Sequence, residues 1–234
     1  MNPAPRLRAP LLRGAALGLW AVVLLQSSVD GRLDLLLRAA FHPLVSAAGG
    51  VLLVLAVLQV LAGLRAGGLQ AGEAGGVWQD SRLSLVTAAI AALLIAWPPN
   101  PSFADLASQR PADETGEDSL SFVLPPAQRS LTDWVRLLRS QPDPQLFAGD
   151  PVRISGFVLP MPGQPPQIAR LLVRCCLADA TPVGLPVRWP ADQPLPQADQ
   201  WLAIQGTMAA VNDQLVVVPE QIQAIPRPAR PLEP

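Results

Sequence analysis

From Leu44 to Leu64 the chain runs for 21 residues without a charged side chain. A helix needs about 20 mostly apolar residues to cross the hydrocarbon core of a bilayer. Within that core only a structure that satisfies its own backbone hydrogen bonds is tolerated. The run therefore reads as a spanning helix, and the chain as an integral membrane protein rather than a soluble enzyme. Two shorter apolar runs flank it. Residues 11–28 form the first, behind Arg6 and Arg8 and with Arg13 near its start. A signal peptide has the same charged start and short apolar core. No small-residue cleavage site follows, so a retained span is the reading. Residues 83–97 form the third run, closed by Pro98 and Pro99, with Trp97 where an interfacial aromatic belongs. Gly49 and Gly50 in the middle run would let a neighbouring helix approach, and the simpler reading is that glycine is merely tolerated in membrane helices.

Three spans set an orientation through arginine, the only basic residue type used, since all 17 basic side chains are Arg. With the N-terminus inside, Arg6, Arg8, Arg13, Arg65 and Arg82 fall on the cytoplasmic side, and Arg32, Arg38 and Arg110 on the outer side. Positive residues favour the cytoplasm, so the C-terminal part is expected outside the cytoplasm, anchored in the inner (plasma) membrane. Between the first two spans, Leu33, Leu36, Leu37, Ala40 and Phe41 recur at helical spacing and predict a short interfacial helix over Asp30–Pro43. His42, the single histidine, stands at its end. One histidine cannot make a metal site alone, and its reading is structural.

The organisation that follows is a membrane region over 1–99, a polar linker over 100–128 and a soluble domain over 129–234. The linker is acidic and proline-containing, with Asp113, Glu114, Glu117 and Asp118 close together, and reads as a mobile, solvated tether. Ser130 and Asp133 look like a capping pair for a helix over Ser130–Ser140, with Leu131, Trp134, Val135 and Leu138 on its apolar face. Beyond Phe147 the period changes to two. Strands are expected at Val152–Val158, Ile168–Leu177, Val183–Trp189, Trp201–Met208 and Leu215–Val218, the last two joined near Asn212–Asp213. Five short strands suggest a small all-β barrel, OB-like. A net charge of −1 and the lack of a basic face with interleaved aromatics argue against nucleic acid as a partner. No phosphate-binding loop, dinucleotide fingerprint or histidine-based triad is present.

The two cysteines of the chain, Cys175 and Cys176, are adjacent. On a regular strand they would point to opposite faces. Leu171, Val173 and Leu177 would then share a core face with Cys175, while Cys176 would lie on a polar face beside Arg174, whose charge favours thiolate. Two such sulfurs could not hold one metal together unless a bulge or turn intervened. A direct disulfide between neighbours is strained, because consecutive Cα atoms lie about 3.8 Å apart. Donors beyond the two thiols would come from Asp179, from His42 or from another chain.

Three segments carry a family resemblance: Gly149-Asp150-Pro151-Val152-Arg153-Ile154-Ser155-Gly156-Phe157-Val158, Cys175-Cys176-Leu177-Ala178-Asp179-Ala180 and Trp201-Leu202-Ala203-Ile204-Gln205-Gly206. With the N-terminal spans and Pro98-Pro99, they make the chain resemble DUF1980, a bacterial family of membrane proteins described as subunits of a two-component permease. The resemblance implies a multi-spanning permease subunit as partner and a link to metal-ion handling. Relatives carry histidine-rich stretches between spans, which this chain lacks. The expected function is a membrane-anchored accessory subunit of a permease, bearing on the lipid bilayer through its spans. Its β domain would bind substrate, with a soft divalent metal as the candidate ion, or gate the partner. Cys175, Cys176, Asp179 and Arg174 are the candidate thiol or binding site, and Cys175, Cys176 and Asp179 the candidate metal ligands. The alternative is a membrane-anchored thiol redox or sensor protein using the same cysteine pair, and a third reading is an anchored domain whose cysteines serve stability alone.

Overall fold

The computed structural model describes residues 4–65, 77–110 and 124–233. They fall into two compact units. One comprises Met1–Leu33 with Ala39–Asn100, the other Asp34–Arg38 with Pro101–Pro234.

The first unit is helical. Its elements are α1 (Ala4–Val29), α3 (His42–Arg65) and α4 (Val77–Ala96), with one turn of helix, α2 (Leu33–Leu36), beginning at its boundary. Two segments, Leu11–Val29 and Ala39–Arg65, are long and apolar enough to cross a membrane, and the apolar part of α4, Arg82–Ala96, is shorter. Small residues decide how α1 and α3 pack. A methyl group added at Gly14 would meet Val60 Cγ2 at 2.7 Å, and one at Gly49 would meet the Leu25 side chain at 2.9 Å. Gly49, Ala56 and Gly63, seven residues apart, are the buried positions of α3, so a seam of small side chains lets the two backbones approach. Gly49 meets the expectation of helix contact, whereas Gly50 faces open space. Ser46 Oγ donates to Ser28 Oγ across the same seam at 3.1 Å. Leu53, Val54, Val57, Leu58 and Leu61 remain exposed on α3, and Val86, Ile90 and Leu93 on α4.

The expected interfacial helix is interrupted. After α2, the chain leaves helical geometry at Leu37 and Arg38, makes a 3-10 turn at Ala39–Phe41, and enters α3 with His42 as its first residue. The cause is a competing partner. The Arg38 N–H donates to the Cys175 carbonyl at 3.0 Å, and Leu37 forms an antiparallel bridge with Cys176. An N–H given to another segment cannot also close a helical turn.

In the second unit, strands β1 (Pro151–Met161), β2 (Gln164–Leu172), β3 (Thr181–Pro186), β4 (Trp201–Val211) and β5 (Gln214–Ala224) form an antiparallel sheet in the order β3-β2-β1-β4-β5. A two-residue strand, β6 (Leu232–Glu233), adds in parallel to β2. The Asn212–Asp213 turn joins β4 to β5 with both residues at positive φ, 49° and 58°, as a two-residue hairpin requires. β5 runs six residues past the expected end at Val218. Pro219, the next residue, sits at a register shift opposite Gly206. A side chain on Gly206 would lie 2.1 Å from the Val218 carbonyl, so the glycine admits the bulge that lets the proline stay in the sheet. The ends of β3 and β5 meet through one isolated parallel bridge, Val187 to Val217. That is a single contact and not a ladder, so the sheet is not closed into the expected barrel.

Both faces of the sheet are covered, which explains why the alternation in β1 gives way to four buried residues in a row from Gly156 to Leu159. One core gathers Val152, Ile154, Val158, Ile168, Leu185 and Ile204 beneath α6 (Leu131–Ser140), whose Leu131, Trp134 and Leu137 are buried. The other contains Phe157, Leu159, Leu171, Val173 and Trp201 with Phe103, Ala104 and Ala107. These last three belong to α5 (Phe103–Ser108). The start of the expected linker is therefore a packed helix, because Phe103 is 1 % exposed and stacks edge-on against Phe157 and Trp201 at 5.8 and 6.1 Å. The acidic residues Asp113, Glu114, Glu117 and Asp118 lie outside the described residues.

The Ser130–Asp133 pair forms the expected capping box at the start of α6: Asp133 N–H donates to Ser130 Oγ, and Ser130 N–H to the Asp133 carboxylate. Loss of such a cap costs about 1 kcal/mol, roughly a five-fold rise in the local opening equilibrium. Ser130→Ala is expected to speed hydrogen exchange of the first-turn amides of α6 by about that factor while leaving β1 and β4 amides unchanged. Equal exchange in the two proteins would show that the cap carries no such energy.

Candidate functional site

Strand β2 was expected to run to Leu177 and ends at Leu172. The next four N–H groups account for this. Val173 N–H donates to the Glu233 carbonyl at 2.9 Å. Arg174 N–H donates to Asp179 Oδ1 at 2.9 Å. Cys175 and Cys176 N–H both point to Asp179 Oδ2, at 2.8 and 3.4 Å. Asp179 itself is brought back by a 3-10 turn, Leu177–Asp179. One carboxylate thus takes three successive donors that a sheet ladder would have used, and the chain becomes a tight loop.

The loop is held from outside as well. Arg110 Nη1 donates to the carbonyls of Leu177 and Ala180 at 2.9 and 2.6 Å, and Arg38 N–H takes the Cys175 carbonyl. Below it, the β6 residue Glu233 is bound by Arg170 Nε at 3.3 Å and by the Thr132 hydroxyl. Burial lowers the pKa of Arg170, against the opposing pull of Glu233. Its guanidinium also lies 5.0 Å from the Trp201 ring. Nothing in the sequence marks Arg38, Arg110 or Glu233 as partners of the cysteines, since their separations along the chain carry no periodic signal.

The turn overturns the opposite-face geometry. Cys175 is exposed and not a core residue, and Cys176 is half-buried. Both are free thiols, and the Cys175 Sγ lies 3.3 Å from the Cys176 Sγ. The two sulfurs and an Asp179 carboxylate oxygen all fall within 4.8 Å of one another. Among the described residues this is the one such cluster of metal-ligating side chains, and His42 is not part of it. Arg174 enters through its backbone N–H.

The charges follow from this geometry. Burial opposes ionisation of Asp179, but the Cys175 thiol and the three N–H groups together hold its carboxyl below the ordinary range. The same carboxylate, followed by the Cys176 sulfur, pushes the Cys175 thiol up to about 12. At neutral pH the thiolate fraction of Cys175 is on the order of one part in 10⁵.

The donor set nevertheless suits a soft cation. Sulfurs 3.3 Å apart subtend about 90° at a metal bound through Zn–S bonds of about 2.3 Å. A small rotation about either Cα–Cβ bond opens that angle toward the tetrahedral value. The carboxylate offers about four lone-pair positions and three are used by the loop, which leaves one on Oδ1. Three donors from one chain leave a coordination position open.

Residues 127–231 match the model of the DUF1980 C-terminal domain. This part of the chain is a DUF1980 domain. All three segments on which the resemblance rested lie inside the match. Neither a curated protein nor a solved structure matches the chain. The matched segment contains the cysteine loop, while both residues of β6, Leu232 and Glu233, lie just beyond it.

Because Asp179 is the first cause of the raised thiol, removing its charge acts in a known direction. In a Cys176→Ser background, alkylation of Cys175 should keep rising with pH across the alkaline range without levelling off. Adding Asp179→Asn should lower the thiol pKa, move the curve to lower pH and raise the neutral-pH rate by roughly ten-fold or more. A pH–rate curve that the second substitution leaves in place would contradict the electrostatic account.

Proposed function

We propose that this protein is a membrane-anchored accessory subunit of a permease, whose DUF1980 domain presents Cys175, Cys176 and Asp179 as a binding site for a soft divalent metal ion. The observation that carries the reading is the convergence of two thiols and a carboxylate in one exposed loop. Thiolates are the ligands that favour soft cations. The raised Cys175 thiol favours this reading over a redox or nucleophilic role for Cys175. A redox or nucleophilic cysteine needs thiolate near neutral pH, whereas a metal supplies the positive charge that displaces the proton. An open coordination position suits a site that takes up and releases its ion.

Two architectural proposals accompany it. The β domain is OB-like in its strand order, an open sheet rather than a closed barrel, a reading supported by the order β3-β2-β1-β4-β5 and by the lone bridge from Val187 to Val217. The helical part crosses the membrane three times, with the DUF1980 domain outside the cytoplasm. Residues 34–38 and those from Pro101 onward form one compact unit. A chain that leaves it by crossing through α3 has to recross through α4 to return. At 1.5 Å per residue the 20 residues of α4 reach about 30 Å, the thickness of the hydrocarbon core. The arginine distribution supports the outer side for the domain. The partner is a multi-spanning permease subunit, met in the bilayer through the exposed apolar faces of the helices.

Titration of the purified full-length protein with Cd²⁺ should develop a thiolate-to-metal charge-transfer band saturating at one equivalent. Cys175→Ser and Cys176→Ser should each weaken binding by more than about 100-fold, beyond what loss of an outer-shell contact removes. A titration with no such band would refute the metal site. In intact cells, a membrane-impermeant thiol reagent should modify a reporter cysteine placed at an exposed position of the domain (Gln193→Cys with Cys175→Ser and Cys176→Ser), and modification only after permeabilisation would put the domain in the cytoplasm.

A further inference from the structure

The segments that join the helices to the DUF1980 domain all converge on the cysteine loop. The chain passes from α1 through α2 to Arg38, whose N–H holds the Cys175 carbonyl at 3.0 Å, and then continues into α3. The neighbouring Leu37 pairs with Cys176. From α4 the chain passes through α5 to Arg110, whose guanidinium clamps the carbonyls of Leu177 and Ala180 on either side of Asp179. The carbonyl side of the loop is thus held by the two connections to the helices, while its N–H side is held by Asp179. The residues that would ligate the ion are the residues so gripped.

We propose that Asp34–Arg38 is a strap through which occupancy of the cysteine site is transmitted to the connection between α1 and α3. This rests on the metal reading above and adds its regulation. The physical step is local. An ion bound to both sulfurs fixes the side-chain torsions of Cys175 and Cys176, and with them the peptide plane between the two residues. The carbonyl of that plane is the acceptor for Arg38 N–H. Without the ion the plane is held by Asp179 on one side and the strap on the other. With it, the plane is pinned, and the Arg38 bond persists for a larger fraction of the time. Coupling of this kind is reciprocal, so whatever the ion does for the strap, the strap does for ion affinity.

The closing experiment measures both directions in the full-length protein in detergent, with Cd²⁺ as probe. Saturating Cd²⁺ is expected to slow hydrogen exchange of the Arg38 amide by about ten-fold. Arg38→Pro, which removes the N–H, is expected to weaken Cd²⁺ binding by a similar factor, and Arg38→Ala, which keeps it, to leave binding unchanged. Cd²⁺ binding with no change at the Arg38 amide overturns the strap and leaves the metal site standing. Equal affinities for the proline and alanine variants do the same. No Cd²⁺ binding by the wild-type protein overturns the metal site and the strap together. The exchange measurement uses the unmodified chain, so it decides the matter even where the proline variant fails to fold.

Discussion

A backbone N–H removed from water has to find an acceptor, and the choice of acceptor shapes this protein at each point where its fold departs from regularity. In α1 and α3 the acceptors are within the helix, as they have to be for segments of membrane-crossing length. In the sheet they are across the ladder. Between Arg174 and Cys176 they are neither. Asp179 takes three consecutive donors, and the strand stops. The same accounting breaks the helix that amphipathic spacing expects after α1, because Arg38 spends its N–H on the Cys175 carbonyl.

The chemistry of the site is a by-product of that arrangement. A carboxylate placed to bind three N–H groups is also placed against two thiols, and its charge discourages a further negative charge nearby. A neutral Cys175 thiol beside an ionised carboxylate has little use as a nucleophile. Together with Cys176 it suits a ligand set, because a cation relieves the repulsion that keeps its proton on. Structure and reactivity are here the same interaction seen twice.

Much of the fold was legible beforehand, and for identifiable reasons. The apolar runs report helices because length and lack of charge suffice to mark them. The Ser130–Asp133 cap, the Asn212–Asp213 turn and the apolar face of α6 are local patterns, and each is found where the spacing put it. What failed was non-local. The α5 segment lies in a proline-containing stretch read as a polar linker, and burial of Phe103 against Phe157 and Trp201 makes it part of the core. The strand expected to end at Val218 continues through Pro219 because of a glycine thirteen positions earlier, on the neighbouring strand.

The sequence by itself determined the division into apolar helices and a β domain, the family of residues 127–231, and the candidacy of Cys175, Cys176 and Asp179. These depend on composition, on short-range spacing and on residue type. The tertiary structure decided that the three side chains meet, that Cys175 is the exposed member, and that Arg38 and Arg110 hold the loop from distant parts of the chain. Side-chain direction alternates along a strand and is lost at a turn. Whether the chain turned at Arg174 depended on hydrogen bonds to Asp179 and Glu233, and Glu233 lies 59 residues further along the chain, beyond the reach of any local pattern.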